Sequence, residues 1–575
     1  MTKKEYRLRK IIQAKFAEAP LNQDFYGDLP KMTDLNIEFE QINLPTTLEM
    51  GDIGSVEVTI TNEGSQIASG LTDINLYTSS DREINQRLLA DTGQLVNDGL
   101  LTTEEVDITG LKPGESQTVT FEYANNTSYV SPAAYTLIAE AVPEKDTDPN
   151  LVNNQTFELV SAPGTDVVLD WNAIAINAAA NHFRYDSVPE VGAAPPQTTR
   201  TAAMLHAAIY DAVNGIEGTY TPYAIDIEAP EGASTEAAVV GAGYTVLSEL
   251  FPEQTEMFDL QKDKSLAEIA DGVSEDVGYV YGQAVAKALL ASRANELDVE
   301  DPDNYPYNPP EGENVWRPGE DGIAVGAGYG NDAITWGIPS SDEFLPDGPS
   351  ELGSEEYAQQ LEEVRVLGGK EDTALTTIIR TEEQSEIAEF WLNDRGDSYK
   401  PGKHWNHIAQ EIAVNEGNSL VENARLFLHL NTAVADAVIV AWDAKYTYLD
   451  PRPVTDITGL YGVDGNPVTT IDPEWESFVE TPPFPDYISG HATIGGAAAS
   501  VLSDFYGEEF EFTAVSPDLP GVVRSYESFD EAALENANSR LYGGVHPFEA
   551  GAGEALPTGD AIGDFVVANI AQSII

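Results

Sequence analysis

Two different spacings of apolar residues divide the chain. Between about residues 35 and 162, short runs alternate apolar with polar side chains and are rich in β-branched residues, as at 55–61, 117–123 and 134–141. Turn-forming sequences such as Asn-Glu-Gly and Lys-Pro-Gly-Glu separate these runs. A period of two places every second side chain on one face of a strand. This part therefore predicts an antiparallel β-sandwich of immunoglobulin-like size.

After a Ser-Ala-Pro-Gly linker at 161–164 the apolar spacing becomes helical, beginning with Val168, Trp171, Ile174 and Ala175. Further helices are expected over 198–214, 235–250, 275–296, 354–365, 374–392, 403–415, 418–446, 489–507 and 529–541. Residues from about 300 to 350 are rich in Pro, Gly, Asp and Asn and lack this periodicity, which favours a functional or wrapping segment over a simple connector. The sequence thus predicts a mostly α-helical domain of two packed bundles.

These patterns divide the chain into a basic lead-in over residues 1–34, a β-sandwich over 35–162 and a helical domain over 165–575. A length of 575 residues by itself requires more than one core. The lead-in has neither the apolar core nor the cleavage site of a signal peptide, so none is recognisable.

The charge balance narrows the possible partners. The chain has 29 Lys and Arg against 97 Asp and Glu, a formal net charge of -68. Phosphate backbones and anionic membranes would be repelled, which excludes nucleic acid. No apolar run reaches the roughly 18 to 20 residues that a membrane span needs. Such acidity is typical of exported proteins or of a high-salt medium, where salt screens self-repulsion. Cysteine is absent, which excludes disulfides and thiolate chemistry.

Three short segments near the C-terminus concentrate cations and imidazoles. The first runs from a lysine to an Arg-Pro pair, and the second is Ser-Gly-His at the start of an Ala- and Gly-rich helix. The third is Ser-Arg, then five residues, then His. Their side chains and amide come from Lys445, Arg452, Ser489, Gly490, His491, Arg540 and His546. Arg makes multidentate contacts with an oxyanion, Lys acts as a point charge, and a helix N-terminus offers free amides. Together the segments predict a pocket for an oxyanion such as phosphate or vanadate.

This combination resembles the superfamily of type 2 phosphatidic acid phosphatases and vanadium-dependent haloperoxidases, with its signature K-x6-RP, P-SGH and SR-x5-H. The resemblance covers about residues 165–575 and implies a mostly α-helical fold. In a haloperoxidase, hydrogen peroxide oxidises halide to hypohalous acid. The resemblance implies one vanadate per chain, with its oxygens neutralised by Lys445, Arg452 and Arg540 and contacted by Ser489 and Gly490. It further implies that His546 binds vanadium, that His491 acts as acid and base, and that Lys445 polarises the bound peroxide.

A phosphatase would use the same pocket differently. His546 would attack phosphorus and His491 would protonate the leaving alcohol. The three segments cannot separate these activities, because vanadate mimics the transition state of phosphoryl transfer. Three residues favour the haloperoxidase by resemblance: Trp442, Phe484 and Asp394. Phe484 is as in the chloroperoxidase-like branch, and the family counterpart of Asp394 pairs with a vanadate-binding arginine. Ile488 before Ser-Gly-His and Pro547 after the last histidine depart from the family pattern.

Some predictions stay open on the sequence alone. The β-sandwich resembles bacterial domains of the CARDB type, which implies either docking to a surface or partner or a passive spacer. Calcium is a possible ligand of the acidic 300–350 stretch through Asp301, Asp303, Asn304 and Asn308, although their spacing is not that of an EF-hand. The sequence does not decide between halides, between peroxide with halide and a phosphate monoester as substrates, or whether the protein forms a homo-oligomer.

Overall fold

The computed structural model describes residues 33–45, 51–80, 84, 86–88, 95–97, 99–124, 134–143, 153–185, 195–294, 307–310, 315–319, 324–327, 329–393, 400–459, 466 and 468–574. Most of the lead-in over 1–34, together with Asp301, Asp303 and Asn304 of the calcium hypothesis, lies outside these residues.

Two antiparallel sheets form the N-terminal part. One has the strand order β1-β2-β7, with β1 at Leu35–Asn43, β2 at Ile53–Asn62 and β7 at Ser116–Ala124. The other has the order β6-β3-β8-β9, with β3 at Leu71–Ser79, β6 at Leu100–Asp107, β8 at Ala134–Pro143 and β9 at Gln155–Ser161. A separate short pair joins β4 (Gln86–Leu88) to β5 (Leu95–Asn97).

The period-two pattern has the predicted effect in these sheets. Along β2 the buried side chains of Val56, Val58 and Ile60 alternate with less buried neighbours. They share a core with Leu76 and Leu137 of the other sheet. The three runs used for the prediction lie in β2, β7 and β8, and the antiparallel sandwich is confirmed.

The rest of the described chain is mainly helical. The first helices are α1 (Val167–Tyr185), α2 (Pro195–Glu217), α3 (Thr235–Leu250), α4 (Thr255–Ala267), α5 (Val273–Ser292) and the short α6 (Tyr329–Asp332). The later ones are α7 (Glu355–Leu367), α8 (Glu382–Phe390), α9 (Lys400–Glu416), α10 (Leu420–Tyr448), α11 (Pro453–Ile457), α12 (Gly490–Tyr506), α13 (Phe529–Tyr542) and α14 (Ala555–Asn569). A hairpin of β10 (Phe512–Val515) and β11 (Val523–Tyr526) precedes α13.

Helix α10 is the centre of the helical part, and it packs against α2 on one side and α12 on the other. Its start is fixed by a capping box of Ser419 with Glu422, and it ends at Leu449 in a left-handed conformation. The segment Leu420–Ile457 is long and apolar enough to cross a membrane by length and composition alone, but 94% of its apolar window is buried inside the protein. Burial on all faces is typical of the central helix of a core.

Some helix predictions were wrong in extent. The helix expected over 374–392 begins only at Glu382, because Thr381 and Gln384 form a capping box there. Just before it, the Arg380 guanidinium donates to the carbonyl oxygens of Leu367 and Gly369, and the Leu375 carbonyl oxygen accepts from Arg365. Helices α4 and α14 and the β10–β11 hairpin were not predicted.

Candidate active site

Lys445 lies in the last turn of α10 and is fully buried. Its Nζ donates to the carbonyl oxygens of Pro485, Asp486 and Ile488, at 3.1, 2.8 and 2.6 Å. The ammonium therefore fixes the loop that leads into the Ser-Gly-His segment. Its positive charge lies directly behind the backbone of that loop.

Arg452 connects this loop to the C-terminal histidine. Its Nε donates to the carbonyl oxygen of Phe484 at 2.8 Å, and its Nη1 donates to that of Val545 at 2.9 Å. The same Nη1 lies 3.1 Å from Nε2 of His546 and 3.5 Å from Oδ1 of Asp486. All these side chains except Phe484 are almost wholly buried. The guanidinium thus holds the two sides of the pocket together.

The Ser-Gly-His segment forms the N-terminus of α12. Ser489 is the N-cap, and its hydroxyl oxygen accepts from the amide of Ala492. A hydroxyl that accepts in this way can still donate its own proton to an anion. Gly490 begins the helix, so its amide lies at the positive end of the helix dipole. A β-carbon on Gly490 would lie 3.2 Å from the indole of Trp442, which leaves little room for a side chain.

A hydrogen bond to a backbone carbonyl shows which ring nitrogen of His491 carries a proton. Its Nε2 lies 3.0 Å from the carbonyl oxygen of Leu392. A carbonyl only accepts, so Nε2 carries a proton there, and in the neutral ring Nδ1 is the basic nitrogen.

Arg540 approaches His546 through the turn that follows α13. Its carbonyl oxygen accepts from the amides of Val545 and His546, at 3.1 and 3.4 Å. The Arg540 side chain is buried and lines the same small cavity as Gly490, His491 and His546. The turn therefore brings together an arginine and an imidazole that are separated by five residues in the sequence.

The walls of this cavity are apolar. Its volume is about 10 Å³, and its lining is completed by Pro195, Pro401, Trp442, Pro482, Phe484 and Ile494. The ring centroids of Trp442 and Phe484 lie 5.1 Å apart. The Lys445 ammonium lies 5.1 Å from the Phe484 centroid and 5.8 Å from that of Trp442. A cation near an aromatic face is stabilised by the ring quadrupole.

Part of the Pro- and Gly-rich 300–350 stretch covers Trp442. The carbonyl oxygen of Val325 accepts from Nε1 of Trp442 at 3.2 Å and from the hydroxyl of Tyr446 at 2.7 Å. The Val325 amide donates to the carbonyl oxygen of Pro483. These contacts agree with the expectation of a wrapping segment. Within the described residues, no group of three or more His, Asp or Glu side chains could hold a metal ion. Asp301, Asp303 and Asn304 of the calcium hypothesis lie outside these residues.

Burial among cations controls protonation in the pocket. Burial, reinforced by Arg452, holds the pKa of Lys445 well below its usual value, although Asp486 opposes the shift. Burial, with Arg452 and Lys445, likewise holds the pKa of His546 well below its usual value. His546 is therefore neutral at ordinary pH and has a lone pair on one nitrogen. Burial raises the pKa of Asp486 to about 7, against the opposing effect of Arg452 and Lys445.

Of two aspartates assigned to or found beside the anion-binding residues, the sequence predicted one and missed the other. Asp394, expected beside a cradle arginine, lies outside the described residues. Asp486 received no predicted role, yet its Oδ1 contacts Nδ1 of His546. One feature of the sequence could have pointed to Asp486. A carboxylate three residues before Ser489 is unusual beside a pocket that binds an anion.

His404 lies outside the cavity and makes hydrogen bonds of its own. Nε2 of His404 lies 2.8 Å from the carbonyl oxygen of Val515, and its Nδ1 lies 3.0 Å from Nδ2 of Asn393. Both ring nitrogens of His404 are therefore engaged in hydrogen bonds. His404 and His407 are three positions apart and could in principle share a metal, but these contacts of His404 argue against it.

Comparisons with known proteins agree with the fold. Residues 425–575 match the family model described as the VCPO second helical-bundle domain. The vanadium chloroperoxidase of Curvularia inaequalis is 26% identical, over 66% of this chain and 78% of that protein. A bacterial vanadium-dependent iodoperoxidase has a TM-score of 0.56 at 24% identity, over 69% of this chain and 97% of that chain. A holo-type bacterial vanadium-dependent chloroperoxidase has a TM-score of 0.51 at 18% identity, over 66% and 93%.

The helical part thus has the fold of the vanadium haloperoxidases. The resemblance drawn from the three motifs is confirmed, and the chain is a homologue of vanadium chloroperoxidase.

Proposed function

We propose that this protein is a vanadium-dependent haloperoxidase that oxidises halide with hydrogen peroxide to hypohalous acid. The observation that carries the proposal is the meeting of Gly490, His491, Arg540 and His546 at one small cavity whose other walls are apolar. The likeness to vanadium chloroperoxidase and to bacterial vanadium haloperoxidases supports peroxide and halide as substrates over a phosphate monoester.

The donor set fits vanadate. Lys445, Arg452 and Arg540 provide three positive charges near one point, the Gly490 amide and Ser489 hydroxyl are donors, and neutral His546 offers a nitrogen ligand. Bound vanadate supplies a Lewis acid at a fixed oxidation state, so the chain needs no redox group of its own. We assign one vanadate per chain to these residues.

The chain's own chemistry is then proton transfer and charge stabilisation. His491 is held by its Nε2 proton, which it donates to the Leu392 carbonyl, and in this proposal it takes a proton from hydrogen peroxide and returns it later. Lys445 and the arginines stabilise the negative charge of the reacting oxygens. The apolar rim of Pro195, Pro401 and Pro482 limits the entry of water.

One observation favours the alternative of an acid phosphatase. A neutral imidazole with a carboxylate at its Nδ1 is also the arrangement of an activated nucleophile. In that case His546 would form a phosphohistidine intermediate, and His491 would protonate the leaving alcohol.

The deciding experiment compares both reactions on one preparation in high salt. Apoprotein with and without orthovanadate is assayed for halogenation with peroxide in chloride, bromide and iodide, and for hydrolysis of p-nitrophenyl phosphate. We expect vanadate-dependent halogenation that is lost in His546→Ala. The matched control is His429→Gln, which removes an imidazole bonded to the Ile570 carbonyl and should keep the activity. Phosphate release that vanadate inhibits, without halogenation, would establish the phosphatase instead.

A further inference from the structure

We propose that Asp486 is a positioning residue that fixes the tautomer of His546, so that Nε2 faces the cofactor as an unprotonated ligand. This deepens the proposed function and rests on it in one respect, that His546 is the residue that binds vanadium. Oδ1 of Asp486 contacts Nδ1 of His546, and both side chains are about 2% exposed.

The backbone of Asp486 is held on two sides. Its amide donates to the carbonyl oxygen of Asp450 at 2.9 Å, and its carbonyl oxygen accepts from the Lys445 ammonium at 2.8 Å. The carboxylate therefore projects from a fixed point. A carboxylate fixed in this way can orient a ring that would otherwise rotate about its side-chain bonds.

The other ring nitrogen determines where the proton is. Nη1 of Arg452 lies 3.1 Å from Nε2 of His546. A guanidinium has donors and no acceptor, so this contact requires a lone pair on Nε2. The single proton of the neutral ring is then on Nδ1, the nitrogen that Oδ1 of Asp486 contacts. The arginine and the aspartate thus select the same tautomer from opposite sides of the ring.

A role of Asp486 as counter-ion of Arg452 would give different results. Its Oδ1 lies 3.5 Å from Nη1 of Arg452, so it could act only as the counter-ion of that arginine. A counter-ion would affect stability and the charge of the pocket but would leave the proton of the histidine where it is.

The test reads the tautomer directly in the apoprotein. The chain has only seven histidines, so 15N-histidine labelling with His546→Gln for assignment gives resolvable ring-nitrogen shifts. We expect wild-type His546 to have a protonated Nδ1 and an unprotonated Nε2. In Asp486→Ala the two tautomers should be mixed, and vanadate affinity, measured by calorimetry without peroxide, should fall about 10- to 100-fold. Asp486→Asn, whose amide oxygen can still accept, should keep the tautomer and recover part of the affinity.

The matched control is Asp472→Asn, which alters a buried carboxylate that accepts from Thr373 and Thr376, and it should change neither reading. A protonated Nε2 in the wild type would overturn the proposal, even if Asp486→Ala does not fold. So would an Asp486→Ala protein with the wild-type tautomer and affinity. A wild type with the expected tautomer and vanadate affinity but no halogenation would contradict the proposed function alone.

Discussion

The indole of Trp442 lies so close to Gly326 that a β-carbon at residue 326 would stand 2.3 Å from its Nε1. Gly326 also has a positive φ of 69°, where a side chain is strained in any case. The contact places the covering segment directly on one wall of the cavity. That wall therefore depends on a glycine far from the three motifs.

Gly326→Ala is expected to displace the indole and to weaken both folding and vanadate binding. The strain of a positive φ costs about 1–2 kcal/mol, and overpacking adds about 1–3 kcal/mol. Gly218→Ala is the matched control, since Gly218 has a φ of 62° and a β-carbon there would meet nothing within 4 Å. Denaturant unfolding and vanadate titration of both variants check this. Equal losses of stability, with unchanged vanadate affinity, would show that Trp442 does not depend on Gly326.

Arg524 of β11 is expected to stabilise the packing of α8 and α13 through a shared set of glutamates. Its guanidinium donates to Glu535, Glu383 and Glu386 at 2.7 to 2.8 Å, and Trp391 and Tyr526 donate to the same Glu535. Arg524→Ala leaves a partly buried carboxylate without its main partner and should cost about 1.5–3 kcal/mol.

Lys370→Ala is the control for that prediction. The Lys370–Glu476 pair is well exposed, so its loss should cost less than about 1 kcal/mol. Denaturant midpoints at constant high salt give both values. A cost for Arg524→Ala as small as that of the control would mean that solvent already screens the network.

The motifs predicted the cations and imidazoles of the site because each chemical role there has a narrow choice of side chain. Arg452, Arg540 and His546 converge as expected, and the helix start at Gly490 was readable from Ser489. The contact of Asp486 with His546 was not readable, since it joins residues sixty positions apart. The stretch over 300–350 was expected to wrap, but the partners of Val325 were not readable for a related reason. Its carbonyl and amide bond to Trp442 and Pro483, and such contacts leave no periodic pattern in the sequence. Likewise, the expected helix over 374–392 was shortened by local capping and by the tertiary contacts of Arg380.

Acid pH is expected to weaken the fold through His206. Burial lowers the pKa of His206 to about 3, and its Nε2 donates to Asn172 while the ring stacks on Phe427. Between about pH 6.5 and 3 the unfolded chain binds a proton at this site that the folded chain does not. Stability is therefore lost as the pH falls through this window, by up to about 1.4 kcal/mol per pH unit.

His206→Gln should remove that contribution. Burial also raises the pKa of Asp436 to about 6, which has the opposite sign between about pH 6 and 4, but this group is common to both proteins and cancels in their difference. Denaturant unfolding from pH 7 to 5 in the same salt measures the two slopes. Parallel slopes would mean that His206 is protonated in the folded protein.

The β-sandwich is expected to unfold together with the helical part, because hydrogen bonds cross between them at α1. Two bonds join Asn181 and Ser80: the serine hydroxyl donates to the Asn181 side chain at 2.7 Å, and the Asn181 amide donates to the Ser80 carbonyl oxygen at 2.9 Å. Asn177 donates to the carbonyl oxygen of Ala134 on β8. All four residues are buried, so these bonds are protected from competition with water.

Asn181→Ala should therefore cost about 1–3 kcal/mol, because it leaves a buried carbonyl and hydroxyl short of partners. Asn75→Ala is the control, since Asn75 accepts only an exposed bond from Thr103 within the sandwich and should cost less than about 1 kcal/mol. Calorimetry in high salt should give one transition for the wild type and a lower midpoint for Asn181→Ala. A passive spacer would melt in a separate transition that Asn181→Ala leaves unchanged. A single transition that shifts in Asn181→Ala would mean that the sandwich stabilises α1. Helix α1 is also held by the buried Lys403 of α9, whose ammonium donates to the carbonyl oxygens of Ala175 and Ile176.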